Sequence, residues 1–219
     1  EVSPTEVFFT PLDQKTMEAF RQKFSGTQKD RNAKPAEKKQ KKEKKQIEVL
    51  PFEKQAEWFN EKIELKVAKI TKVENNPESD KLYIETLDDG SGTERIIQSG
   101  LRDFLKPEEL LGKHIILASN LAPRKMRGVE SRGMLLAADY KDENGKDCVE
   151  PLEAPWAIPG TKVVLEGSPE NSKPEQIQAE DFFAVEIKVS DNKVQIGEKT
   201  LTAAEKQIST VKTKNGSVH

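Results

Sequence analysis

The sequence predicts an all-β fold with a small α content, and two observations carry this prediction. Between residues 63 and 166, short apolar runs typical of strands recur and are separated by Gly, Pro, Asn and Asp. Only one intervening segment, Pro107 to Leu111, has the proline-first, glycine-after pattern of a helical turn. The 219-residue chain is 34% charged with a mean hydropathy of −0.74, so we expect part of it to be linker rather than core.

The predicted strands follow one another in an order typical of one architecture. In the first, Ile63 to Val73, apolar residues largely alternate with lysine and glutamate. The elements that follow are the strand Leu82–Leu87, the strand Arg95–Gln98, the helical turn Pro107–Leu111, the strand His114–Ala118 and the strand Met134–Ala138. Five strands with a small helix between the third and the fourth is the order of an oligonucleotide-binding (OB) barrel, which we expect to be closed over residues 63–166. Thr161–Leu165 closes this unit or begins the next.

The segments before the barrel differ in composition. Residues 1–28 contain a helix candidate, Asp13–Phe24, which suits the trailing helix of an upstream domain. Residues 29–46 hold nine Lys/Arg and three Asp/Glu and no apolar side chain larger than alanine, so we expect a flexible basic linker. This linker either keeps the chain soluble or attracts nucleic acid, and the two roles are compatible. Residues 47–62 form an approach segment in which Phe52, Trp58 and Phe59 are available to dock.

Residues 167–219 follow the barrel and predict a small β-rich appendage. Its strand candidates are Phe182–Val189, Lys193–Ile196 and Lys199–Leu201. The segment is too short to form a core of its own, so we expect it to pack on the barrel.

The segment Ser119–Met134, SNLAPRKMRGVESRGM, is the strongest candidate for a functional site. It carries four cations and one anion between two apolar strands. Cations held on a rigid scaffold suit a phosphate backbone, because they lose less freedom on binding. The alternative is a solvated hairpin loop that happens to be basic. The cations are Arg124, Lys125, Arg127 and Arg132.

Composition excludes several other functions. Cys148 is the single cysteine, so no intramolecular disulfide forms, and with only two histidines the chain offers no zinc constellation. No apolar run approaches the roughly 20 residues of a membrane span. We therefore expect a cytoplasmic chain with no metal, no cofactor and no membrane partner. No constellation of residues supports catalysis.

The chain from about Glu64 onward resembles the endothelial monocyte-activating-polypeptide-like tRNA-binding domain, a module appended to several aminoacyl-tRNA synthetases. Five collinear segments carry the resemblance: LKVAKI at Leu65, ESDKLYIETLDDG at Glu78, RIIQSGL at Arg95, NLAPRKMRGVESRGM at Asn120 and PGTKV at Pro159. The resemblance implies an OB barrel that binds tRNA by shape. The appendage is similar to the family's second half, which takes the place of a second subunit, so a monomer is expected.

The resemblance and the charge of the loop together predict which residues contact tRNA. Single-strand binders stack bases on aromatic rings, but aromatic residues make up only 6% of this chain, so recognition of folded RNA is expected. Met126 either lies against a ribose or a terminal base, or plugs the core. The predicted tRNA-binding residues are Ser99, Asn120, Arg124, Lys125, Met126, Arg127, Ser131 and Arg132.

One further resemblance concerns the protein from which the chain derives. FFTPLDQKTMEAFRQKFSG, near the N-terminus, resembles the segment after the anticodon-binding domain of methionyl-tRNA synthetase, which suggests that enzyme as the parent; lysyl-, tyrosyl- and free-standing cofactor contexts remain alternatives. Neither a HIGH-like nor a KMSKS-like signature occurs, so no catalysis is expected of this chain.

The alternative function is a cytokine-like or protein-interaction module. Val67–Val73 lies where the family's cytokine-associated heptapeptide lies but departs from it in sequence.

Overall fold

The computed structural model describes residues 49–169 and 174–219. The predicted helix Asp13–Phe24 and the basic linker 29–46 lie outside the described residues. The described residues belong to one unit, residues 47–219. Its fold is mostly antiparallel β, as the sequence predicts.

The first strand organises the barrel because it pairs with a different neighbour along each half. β1 (Leu65–Asn75) pairs with β4 (His114–Ala118) from Leu65 to Lys69 and with β2 (Tyr83–Asp88) from Lys69 to Asn75. A register shift between Ile70 and Lys72 marks an irregularity of the bulge type, which bends a strand. β3 (Arg95–Ser99) continues beyond β2, and the predicted helical turn is found as α2 (Pro107–Leu110).

The strand predicted at Met134–Ala138 is wrong in detail, because it is interrupted at Leu136. β7 (Met134–Leu135) pairs with β4, whereas β8 (Ala137–Lys141) pairs with β9 (Asp147–Pro151). The Leu136 N–H donates to the Ile116 carbonyl while its own carbonyl accepts from the Leu152 N–H. The backbone therefore changes partners at this buried residue.

The neighbours β3–β2–β1–β4–β7 follow the OB order. Within residues 49–169 no strand ladder joins β3 to β7; instead the Arg132 N–H donates to the Ile96 carbonyl at 2.9 Å. The fold is OB-like, and full closure of a five-stranded barrel stays a prediction.

The approach segment forms a helix, α1 (Phe52–Lys62), which the sequence analysis did not predict. Phe59 and Gln55, one helical turn apart, are buried, and the Trp58 indole N–H donates to the Asp181 carbonyl at 3.2 Å. Phe52 is 57% exposed, but its ring lies beside Gly197 of the appendage, since a Cβ placed on that glycine would be 3.4 Å from Phe52 Cζ.

The appendage extends the barrel sheet rather than standing beside it. β10 (Lys162–Leu165) pairs with β1 on one side and with β13 (Lys199–Ala203) on the other. The remaining appendage strands are β11 (Ile187–Ser190), β12 (Lys193–Ile196), β14 (Lys206–Gln207) and β15 (Asn215–Val218). One apolar core contains both Leu65 of the barrel and Leu201 of the appendage, so the two pack together as expected.

The strand predicted at Phe182–Val189 is wrong in its first half. Residues Ala179–Phe182 form a helical turn, α3, and the strand begins only at Ile187. The Asp181 carboxylate accepts from the Gln178 N–H at 3.1 Å, which caps the turn, while the buried Phe182 ring packs edge-on against Phe183. A local cap thus overrides the β propensity of the paired phenylalanines.

Candidate nucleic-acid interface

The cationic segment folds as a short β-hairpin that projects from the barrel strands. β5 (Arg124–Met126) pairs with β6 (Val129–Ser131). The two residues between them, Arg127 and Gly128, have φ values of 42° and 80°. Two positive φ values in a two-residue turn match the twist of the strands, and glycine adopts this conformation without strain. The cationic segment is therefore a hairpin, and its shape is compatible both with a phosphate-binding site and with a solvated basic loop.

The cations of the hairpin are accessible to a ligand. Arg124, Lys125, Arg127 and Arg132 are all exposed. Arg132 donates through Nε to the Glu130 carboxylate at 2.8 Å, but both side chains are at least half exposed, so this ion pair adds little stability. The arrangement offers four cations to a polyanion, and the exposed carboxylates of Glu130 and Glu78 lie beside them.

A buried polar network holds the tip of the hairpin. The Gln98 side-chain amide donates to the carbonyls of Met126 and Val129 at 2.8 and 2.9 Å, and its oxygen accepts from Asn76 Nδ2 at 2.7 Å. Asn76 Nδ2 also donates to the Arg127 carbonyl at 3.2 Å. Gln98 is 5% and Asn76 2% exposed. The tip is thus attached to β3 and to the turn after β1.

A second set of contacts holds the base of the hairpin. The Ser131 hydroxyl accepts from the Gln98 N–H at 3.0 Å and donates to the Gly133 carbonyl at 3.1 Å. Arg95 donates to the carbonyls of Arg132 and Ser119 and to the buried carboxylate of Asp89. Burial alone raises the pKa of Asp89, but hydrogen bonds from Ser91 together with the Arg95 charge outweigh it and hold that pKa below its usual range. Base and tip are therefore both anchored.

Two of the predicted site residues lie off the hairpin. Asn120 Nδ2 donates to the carbonyls of Lys62 and Glu175, and its Oδ1 accepts from the Glu64 N–H at 3.0 Å. Ser99, at the end of β3, donates its hydroxyl to Glu85 at 2.6 Å. The other six predicted residues come together on the hairpin or at its base, where Met126 is half-buried and Ser131 is 4% exposed: Arg124, Lys125, Met126, Arg127, Ser131 and Arg132.

Glu85 is a buried carboxyl group that the sequence reading missed. It lies between Tyr83 and Leu87 on the buried face of β2, and it is 0% exposed. Burial raises its pKa to about 7, although the hydrogen bond from Ser99 acts in the opposite direction. Its Oε2 atom has no hydrogen-bond partner among the described residues.

Sequence reasoning also missed the residues that anchor the hairpin. The one available signal was Gln98, a polar residue that directly follows the Ile96–Ile97 pair in a predicted strand, where a buried position calls for a hydrogen-bond partner. Asn76 stands in the Asn–Asn–Pro sequence that ends the first strand, and it forms a local turn, since its Oδ1 accepts from the Glu78 N–H at 2.7 Å. Nothing in the sequence around Arg95 indicated that this residue anchors the base of the hairpin.

Other chemistry finds little support in the described ranges. Among residues 49–169 and 174–219, no group of three or more His, Cys, Asp or Glu side chains is arranged to hold a metal ion. No helix within these ranges is long and apolar enough to cross a bilayer. His114 has a structural contact, since its Nδ1 lies 2.7 Å from the Ala157 carbonyl oxygen.

Comparisons with known proteins agree with this geometry. Residues 65–159 match the family model described as "Putative tRNA binding domain". The methionine–tRNA ligase of Treponema denticola is 44% identical over 96% of this chain, and that of Borreliella burgdorferi 42% identical over 74%. These alignments cover 29% and 21% of the two relatives, so the chain corresponds to less than a third of their length.

A solved structure supports the fold. The C-terminal domain of Plasmodium vivax p43 superposes with a TM-score of 0.65 at 22% identity, covering 74% of this chain and 98% of that one. The described residues thus form an OB-like β fold with an anchored cationic hairpin. Over residues 65–159 the chain belongs to the family of tRNA-binding domains named above.

Proposed function

We propose that this chain is a non-catalytic tRNA-binding module that recognises folded tRNA through backbone and shape contacts. The observation that carries the proposal is the anchored hairpin, which presents Arg124, Lys125 and Arg127 to solvent within the matched domain. Phosphate contacts from such cations supply affinity and fix orientation. A scaffold that is already rigid loses little conformational freedom on binding.

The supply of aromatic rings favours a folded ligand over single strands. Tyr83 is 3% exposed and donates its hydroxyl to the Leu105 carbonyl, while the Trp156 indole N–H donates to the Ala203 carbonyl. Phe104 is 44% exposed and Phe52, on α1, is 57% exposed, but neither ring belongs to the hairpin, so they do not add a stacking platform to it. A folded tRNA offers phosphates and 2′-hydroxyls in a fixed array instead.

Within this proposal the predicted site residues divide into two groups. The exposed cations and Met126 contact the RNA. Asn120, Ser131 and Ser99 act chiefly as scaffold, because their side chains already hydrogen-bond within the protein. The proposed RNA-contacting surface is therefore smaller than the one predicted from the sequence, and it consists of the exposed cations and Met126.

The wider context belongs to the same proposal. The similarity to methionine–tRNA ligases over nearly the whole chain supports a role in cis for a methionyl-tRNA synthetase, in the cytoplasm. The core shared by barrel and appendage supports a monomer, and light scattering should therefore give the chain mass of 24.7 kDa rather than twice that value. The residues that the structure describes give the cytokine-like alternative no support.

The test is a competition experiment with the whole chain. Fluorescently labelled tRNA is bound at about 0.15 M salt, close to physiological ionic strength, and displaced with unlabelled tRNA or with an unstructured RNA of the same length. We expect tRNA to compete more strongly. Equal competition by the two RNAs would mean that the chain binds polyanions without recognising tRNA.

A further inference from the structure

Gln98 and Asn76 form a complete polar network beneath the tip of the hairpin. Gln98 uses both amide hydrogens on carbonyls of the hairpin, and Asn76 donates to Gln98 and to the Arg127 carbonyl. The remaining acceptor, Asn76 Oδ1, accepts from the Glu78 N–H. Buried networks with every donor and acceptor satisfied stabilise one arrangement of the groups they join.

The hairpin depends on such external contacts because it is very short. Each of its strands has three residues, and an isolated two-stranded hairpin is at best marginally stable in water. The network reaches three carbonyls of the tip, those of Met126, Arg127 and Val129. The backbone that carries Lys125 and Arg127 is therefore held by hydrogen bonds that span at least 28 positions in sequence.

The turn after β1 contacts the same tip. A Cβ placed on Gly128 would lie 3.1 Å from the Glu78 carboxylate, so that turn and the tip are packed closely together. Asn76 holds Glu78 through its Asx-type hydrogen bond. Neither Gln98 nor Asn76 is exposed enough to serve as an RNA contact itself, which leaves a positioning role.

We propose that Gln98 and Asn76 are positioning residues that fix the orientation of the hairpin tip, and that this orientation allows the chain to discriminate folded tRNA from unstructured RNA. This inference rests on the proposed function. A folded tRNA presents a fixed array of phosphates that only a fixed array of cations matches. An unstructured RNA adapts to any arrangement of cations, so loosening the tip leaves its binding nearly unchanged.

The experiment uses two variants of the whole chain and one matched control. Gln98→Met keeps the side-chain length but removes the donors and the acceptor. Asn76→Ser keeps an oxygen for the Glu78 N–H but no longer reaches Gln98 or Arg127, and it serves if the first variant fails to fold. Gln207→Met makes the same substitution at an exposed residue in β14 of the appendage. Each protein is assayed with tRNA and with unstructured RNA, across a salt series, and by amide hydrogen exchange.

The expected result has three parts. Exchange at residues 126–130 rises by about tenfold or more in the folded variant, since buried carbonyls that lose their partners favour local opening. Affinity for tRNA falls by about tenfold while affinity for unstructured RNA changes little. The salt slope stays the same, because the number of cations is unchanged. Gln207→Met behaves as the parent chain.

The contradicting results separate this inference from the function on which it rests. If the parent chain prefers tRNA and the folded variants keep both that preference and slow exchange at the tip, the network does not position the hairpin. If exchange rises but the preference is kept, orientation does not determine discrimination, and the inference also fails. If the parent itself shows no preference for tRNA, the proposed function fails and takes the inference with it.

Discussion

Replacing Glu85 by glutamine should make the stability of the chain depend less on pH. The Glu85 carboxyl group is fully buried, accepts a hydrogen bond from Ser99 and has a pKa raised by burial to about 7. The ordinary value for glutamate is 4.5. Between these two values the folded chain keeps a proton that the unfolded chain releases.

The sign and size of the effect follow from proton linkage. Because the folded state binds the extra proton, the free energy of unfolding falls as pH rises from about 4.5 to about 7, and it levels off above the folded pKa. A difference of about 2.5 pKa units corresponds to at most about 3.5 kcal/mol. Glutamine carries no charge at any pH. Glu85→Gln should therefore match the parent near pH 4.5 and exceed its stability above pH 7.

Urea denaturation of both chains at several pH values between 4.5 and 8 measures this difference. Glu57→Gln, at an exposed position of α1, controls for the loss of a carboxylate elsewhere. A gap between the Glu85→Gln variant and the parent that stays constant from pH 4.5 to pH 8 would refute the reasoning, because it would mean that Glu85 titrates alike in the folded and unfolded chains.

Three further predictions concern the backbone, the appendage and the basic segment. Gly133→Ala should lower the melting temperature more than Gly92→Ala: both glycines have positive φ, but only at Gly133 would a Cβ meet the Ala118 carbonyl oxygen at 2.9 Å. The Glu150 carboxylate accepts hydrogen bonds from the N–H groups of residues 211–213. Glu150→Ala should therefore lower the free energy of unfolding by about 1–3 kcal/mol and speed amide exchange at these residues; unchanged exchange would contradict this. Deleting residues 29–46 should flatten the salt dependence of binding to a log–log slope of about −3 to −4, as for about four neutralised phosphates, and leave the preference for tRNA intact.

The elements predicted correctly are those whose own residues carry the signal. His114–Ala118 is a strand within the predicted bounds, because a run of apolar residues buried on both faces leaves no ambiguity. The position of the cationic segment was also evident, since charge is a property of the segment itself; its role as an RNA contact stays a prediction. β9 (Asp147–Pro151) was missed because its polar sequence lacks alternation, and its pairing with β8 supplies what the local pattern does not.

The parts of the site that the sequence left open depend on contacts between distant segments. Gln98 and Asn76 meet the hairpin only after β1, β2 and β3 have paired, so no local pattern relates them to Arg127. Asn120 shows the converse. A polar residue beside the cations suggested an RNA contact, whereas its amide joins residues 62–64 and Glu175.

The central claim is that the hairpin cations bind tRNA. Its most direct test is the affinity of the Lys125→Ala/Arg127→Ala double variant for tRNA at about 0.15 M salt, close to physiological ionic strength. Lys193→Ala/Lys206→Ala removes the same charge from exposed positions of the appendage and is the matched control. We expect the hairpin variant alone to bind more weakly and to lose about two units of salt slope, one for each phosphate contact, while its melting temperature is unchanged. If it binds tRNA as tightly as the parent chain, the hairpin is not the site, and the basic segment 29–46 becomes the better candidate.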